Sequence, residues 1–295
     1  MNVGLMLPMF SSNVAAPMNA AREAEALGFD GVFGFDHMFP IGGAPDGPAL
    51  ECFAMLAAAA AITSRIAVGT LVTRVGLRPV GLLSKLAAGL DHVSGGRAIL
   101  ALGTGDRHSD GEHAVYGFPV EPMATRAERL EETVAALRSA FAGEPFAGGR
   151  LVPGIDGPLL PVPVRAGGPP IWVGGTSDAV LRIAARSADG WNGWGLTAEA
   201  FSEKVRQLDG DAAGRPVEAT WGGIVLVGED EAEAGRLAAE RAARGREPAS
   251  FTGSVDRLRD HLAAIATAGA TWAIMLAAGP PDRRALIAAA LTPRA

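Results

Sequence analysis

Short apolar runs of five to eight residues alternate with longer stretches of helical period along almost the whole chain. Val3-Gly4-Leu5-Met6-Leu7 predicts a first strand. Ala15 to Leu27 predicts a helix stopped by Gly28, because glycine accepts the left-handed conformation at a helix end. Strands then follow at 31–35, 66–72, 97–102, 170–174, 190–194, 220–227 and 271–276. Helices are expected at 50–62, 79–92, 124–141, 178–187, up to about 208, 229–244, 255–267 and 283–291. The strands are apolar on both faces, as buried parallel strands are. Residues 142–170 break the pattern with many Gly and Pro, and read as an insertion carrying at most a short hairpin.

Eight strands each followed by a helix predict an α/β fold, a TIM (β/α)8 barrel forming a single domain over 1–295. An open doubly wound sheet is the alternative architecture. The absence of a dinucleotide fingerprint favours the closed barrel, since Gly103-Thr104-Gly105 lacks the required third glycine.

Composition narrows the function classes. Hydrophobic residues make up 48% of the 295 and charged residues 20%, enough for a large core and too apolar for a disordered chain. The net charge of −6 argues against nucleic acid as the main partner. The single cysteine, Cys52, lies in an apolar run and reads as a buried structural thiol. The start lacks a basic leader, and the longest apolar stretch, 53–63, is too short to span a bilayer. A cytoplasmic protein with no membrane partner is expected.

In such a barrel the site is built from the loops that follow the strands. After strand 2, Asp36-His37 places a carboxylate beside an imidazole able to exchange a proton near neutral pH. The position at a strand end favours this over a structural pair serving loop backbone. After strand 4, Gly103, Thr104 and Gly105 let backbone approach a ligand, and Asp106 stands where an acid would act or would cap a helix. After strand 5, Gly174-Gly175-Thr176-Ser177 leads straight into a helix. Free N–H groups, absent side chains and two hydroxyls make it the best anion site in the chain, with simple N-capping as the alternative. Trp191 and Trp194 end strand 6, as walls for a planar ring or as core. His108, Asp110, Glu112 and His113 have the composition of a metal cluster, but loop composition alone is the favoured explanation. Residues 38–49 and 107–123 read as irregular loops, and the arginines from 241 to 246 as a solvated helix end.

Several blocks together resemble luciferase-like flavin and deazaflavin oxidoreductases. They are Val3-Gly4-Leu5-Met6-Leu7-Pro8, Ala26-Leu27-Gly28-Phe29-Asp30-Gly31-Val32, Asp36-His37, Ile66-Ala67-Val68-Gly69-Thr70, Ser94-Gly95-Gly96-Arg97, Leu102-Gly103-Thr104-Gly105, Gly174-Gly175-Thr176-Ser177 and Ala188-Asp189-Gly190-Trp191. The resemblance implies a barrel that binds coenzyme F-420 (8-hydroxy-5-deazaflavin), or alternatively FMN, in a homodimer. It implies that Gly174, Gly175, Thr176 and Ser177 hold the cofactor phosphate. It also implies an irregular, often cis, peptide at Leu71-Val72 that supports the ring, with Asp36, Thr73, Gly103, Thr104, Gly105 and Trp191 around it. His37 matches the catalytic histidine of deazaflavin-dependent members, with Asp36 beside it. Asp106 takes the place of their acid after Gly-Thr-Gly. The tryptophan that follows the histidine in sugar-phosphate-oxidising members is replaced by Pro40-Ile41-Gly42. The expected activity is hydride transfer between coenzyme F-420 and a small organic substrate. The alternatives are an FMN-dependent monooxygenase, a non-catalytic flavin-binding protein, or a metal-dependent barrel hydrolase using His37, His108 and His113.

Overall fold

The computed structural model describes residues 1–41, 46–105 and 108–291. Its first half runs β1 (Asn2–Met6), α1 (Ala15–Ala26), β2 (Gly31–Gly34), α2 (Cys52–Ala61), β3 (Ala67–Thr70), β4 (Thr73–Arg74), α3 (Val80–Ser94), β5 (Ala98–Gly103), α4 (His108–Tyr116) and α5 (Met123–Ala142). The second half runs β6 (Ile171–Gly174), α6 (Asp178–Ser187), β7 (Gly190–Trp194), α7 (Ala198–Ala212), β8 (Glu218–Gly228), α8 (Glu231–Ala243), β9 (Phe251–Ser254), α9 (Val255–Thr267), β10 (Trp272–Ala277) and α10 (Arg283–Leu291).

The strands β10-β1-β2-β3-β5-β6-β7-β8 are all parallel, and β8 pairs back onto β10, with Trp272 opposite Thr220. The sheet is therefore a closed eight-stranded barrel wrapped by helices, as the alternation of strand and helix predicts. Two short strands lie outside the ring. β4 continues along β5 beyond the end of β3, and β9 lies beside the upper part of β8.

Two cores result from the alternation of side chains. The barrel interior holds Met6, Phe33, Phe35, Ile99, Trp172, Trp272 and Ile274. Glycines on neighbouring strands make room for the large rings: a Cβ on Gly4 would come within 2.8 Å of the Phe33 ring and one on Gly69 within 2.9 Å. The other core lies between the strands and the helices. There α6 buries Val180, Leu181, Ile183 and Ala184 along one face.

Residues 143–170 are an insertion, as expected, tied by one antiparallel bridge between Phe146 and Ile155. Expectation and structure part at 107–123 and at 251–254. The first segment is largely the helix α4 and the second is β9. Among the described residues no helix is long and apolar enough to cross a membrane.

Candidate functional site at the mouth of the barrel

The C-terminal ends of β2, β3, β5 and β6 converge, and two charged networks fix their loops. In the first, Arg78 donates to both oxygens of Asp36, at 2.6 and 3.0 Å, and the Thr73 hydroxyl donates to the same carboxylate. Arg78 also reaches Glu51 at 2.7 Å, and Glu51 caps α2 by accepting from the Ala54 N–H. The Arg78 guanidinium lies over the Phe53 ring, 5.1 Å from its centre. Burial lowers the Arg78 pKa, but Asp36 and Glu51 outweigh it and hold the group firmly charged. Asp36 is 4% exposed, so its carboxylate is a strut between β2 and the start of α3.

The second network belongs to His37. Its Nδ1 lies 2.5 Å from Oε1 of Glu112, on α4, while Oε2 accepts from the Met38 N–H at 2.8 Å and from Arg74. Glu112 is 1% exposed and Arg74 3%. Burial pushes the Glu112 carboxyl up, but its bonds from His37 and Met38 and the charges around it win, and the carboxyl sits below its ordinary range. An ionised Glu112 selects the imidazole tautomer with hydrogen on Nδ1, which leaves Nε2 as the exchangeable position. The rings of Phe10 and Phe35 stand edge-on to His37, each with its centre 6.1 Å away. On Arg74, Nε and Nη1 have no partner among the described residues.

Between the networks, the Leu71–Val72 peptide is cis. Val72 lies against the ends of β5 and β6: a Cβ on Gly103 would meet its Cγ2 at 2.5 Å and one on Gly174 its Cγ1 at 2.6 Å. Thr104 donates to the Gly105 carbonyl. Asp106 lies outside the described residues. At the end of β6, Gly175 has a φ of +138°, a value that L side chains avoid. The chain then exposes Thr176 and Ser177 at the start of α6. Ser177 Oγ accepts from the Val180 N–H, and the other first-turn amides have no partner within the helix. These residues suit an anion beside a flat ring: glycine backbone at two strand ends, a left-handed turn, and a free helix start.

The chain's first 287 residues match the model of the luciferase-like monooxygenase family. The chain belongs to that family. An uncharacterized protein of Mycobacterium tuberculosis is 32% identical over 189 residues, 58% of this chain and 62% of the relative. A coenzyme F-420-dependent glucose-6-phosphate dehydrogenase of Beutenbergia cavernae is 31% identical over 175 residues, 57% of this chain and 49% of the relative. The chain thus spans only half to six-tenths of the curated relatives it matches. Among solved structures, the coenzyme F-420-dependent tetrahydromethanopterin reductase of Methanopyrus kandleri superposes with a TM-score of 0.81 at 20% identity, covering 98% of this chain and 97% of its own. The monooxygenase RslO1 of Streptomyces bottropensis superposes at 0.78 and 22% identity, with 98% of both chains covered. Both likenesses are likenesses of fold.

Within this luciferase-like barrel most of the residues singled out in the sequence gather at one mouth: Asp36, His37, Leu71, Val72, Thr73, Gly103, Thr104, Gly105 and Gly174 to Ser177. Trp191 does not wall the mouth. It is fully buried on the helix side, stacked on Phe201 at 5.3 Å, and touches the site only by donating to the Gly175 carbonyl at 2.7 Å. Trp194 is the tryptophan that faces the interior, edge-on to Phe35. The described members of the α4 cluster separate: Asp110 pairs with Arg126, His113 bonds the Pro119 carbonyl, and Glu112 turns inward to His37, while the side chain of His108 lies outside what the structure describes. Sequence reasoning missed Glu112 as the partner of His37, read Arg74 only as part of a strand end, and gave Arg78 no role. Only their place in the segment between β3 and α3 signals Arg74 and Arg78.

Proposed function

We propose that the chain is an oxidoreductase that transfers a hydride between coenzyme F-420 and a small organic substrate. The observation that carries this reading is His37, held at the barrel mouth by a buried ionised Glu112 with Nε2 free to move a proton. The kinship with coenzyme F-420-dependent dehydrogenases supports it. Gly174, Gly175, Thr176 and Ser177 would hold the cofactor phosphate, and Leu71, Val72, Thr73 and the Gly103–Gly105 turn its ring. When bound, the deazaflavin supplies the hydride donor or acceptor. His37 gives or takes the accompanying proton at Nε2. Glu112 fixes the imidazole, and Phe10 and Phe35 keep water from its flanks. Asp36, spent on Arg78 and Thr73, holds the loop that carries His37 rather than exchanging protons itself.

A fluorescence titration with coenzyme F-420 and, separately, FMN tests the reading. Tight binding of the deazaflavin with weak FMN binding is expected. The reverse preference would move the chain to the FMN-dependent monooxygenase reading. Binding of neither would remove the phosphate role of Gly174 to Ser177.

A further inference from the structure

A cavity of about 460 Å³ opens at the C-terminal ends of β8 and β10, within the range of small-ligand pockets. Its apolar lining includes Leu226, Leu237 and Leu276. Leu276 packs against the barrel-interior cluster and lies opposite Ile224 of β8, so this floor continues the interior surface of the barrel. The rim is of a different chemistry. Arg241, Arg244 and Arg246 line it, with Glu240 as the one acidic lining residue.

The three arginines are unusual in a chain of net charge −6. Neighbouring arginines are neutralised: Arg257 pairs with Glu231, Arg259 with Asp256, and Arg283 with Glu233 and Asp282. None of Arg241, Arg244 and Arg246 makes an ion pair among the described residues, and Arg241 spends only its Nε, on the Glu247 carbonyl at 2.6 Å. Burial and then the nearby Arg246 charge hold the Arg241 pKa below its ordinary value, against a weaker opposing pull from Glu247. The C-terminal end of α8 favours one cation by its dipole, but three around one cavity repel one another. An entering anion relieves that repulsion and gains charge-assisted hydrogen bonds.

We propose that this cavity is a subsite for an anionic group, a carboxylate or a phosphate, on the substrate of the barrel. The proposal rests on the reading of the mouth as a substrate site. It is separate from the glycine turn at the start of α6, because β8 and β10 are not neighbours of β6 in the ring. The apolar floor would take the carbon skeleton, and the arginine rim the charged end.

The test is calorimetric titration of the full chain with inorganic phosphate and, separately, succinate. Three proteins are compared: wild type, the triple variant Arg241→Gln/Arg244→Gln/Arg246→Gln, and the single variant Arg244→Gln. The expected result is that at least one anion binds wild type, and binds the triple variant at least about tenfold more weakly. Whichever anion binds names the class. Arg244→Gln, a change at one exposed residue, should weaken binding in the same direction and serves if the triple variant does not fold. Absence of binding to wild type, or unchanged affinity in the arginine variants, would overturn the proposal. A parallel titration of the triple variant with coenzyme F-420 should match wild type. Failure of wild type itself to bind the cofactor would count against the oxidoreductase reading, and leaves the anion result to be judged by itself.

Discussion

At the scale of single residues, the decisive pairing is His37 with Glu112. A carboxylate at 2.5 Å from Nδ1 holds the ring in one orientation. Replacing Glu112 by Gln keeps the volume and removes the charge. Urea unfolding of the variant beside wild type measures what that charge contributes. An unchanged midpoint would show that the carboxylate only fills space. The same change strands the buried Arg74 guanidinium, whose other nitrogens already lack partners among the described residues. It should therefore cost about 3 kcal/mol of stability. His37→Ala leaves the turn at Gly174 to Ser177 intact. It should lower turnover by roughly 10²-fold or more while coenzyme F-420 affinity stays within a few-fold. Equal losses in both would make His37 a binding residue. His37 itself is legible in the sequence, because it follows a barrel strand. Glu112 is not legible as its partner: it lies 75 positions away, among charged residues with nothing to show which one turns inward.

At the scale of elements, the mouth depends on Val72 fitting between two strand ends. Gly103 and Gly174 are opposite each other in the register of β5 and β6, and both press on Val72. A methyl group on Gly174 cannot be accommodated without moving that side chain or the strand. Gly174→Ala should lower stability by about 1–3 kcal/mol. Val72→Ala in the same chain should recover most of the loss, a coupling that thermal unfolding of the four proteins of the cycle measures. Strictly additive effects would mean that the strand, not Val72, resists the methyl group. Elements with clear period and clear stops are legible to the residue, as α6, β7 and α9 are. α4 was hidden because Gly111 interrupts nine residues with few apolar positions, and β9 because four residues paired to β8 alone carry no pattern. The barrel closure follows from the count of strands. The course of the α4 loop across the mouth is set by contacts distant in sequence, and it carries the missed half of the site.

At the scale of the whole molecule, carboxylates fasten loops to the helical shell. Glu25 on α1 accepts from the N–H groups of Ser64, Arg65 and Ile66, just before β3. Glu132 on α5 accepts from Arg150, Leu151 and Val152, each at 2.8 Å, and anchors the insertion. For both, burial raises the pKa, but the backbone bonds outweigh it and the folded value lies below the ordinary one. A depressed folded pKa means that the unfolded chain takes up protons first as pH falls. The stabilisation is therefore complete above the unfolded value of about 4.3, and it is lost as pH drops through the folded value. Glu132→Gln removes one such fastening while leaving an amide oxygen to accept weakly. The variant should unfold at lower urea concentration than wild type at pH 7, and the gap should narrow steadily below about pH 4. Protection of the 150–152 amides from hydrogen exchange should fall in the variant at pH 7, while that of the barrel strands should not. A gap independent of pH would mean that Glu132 acts by packing, and that the ionised carboxylate does not hold the insertion in place.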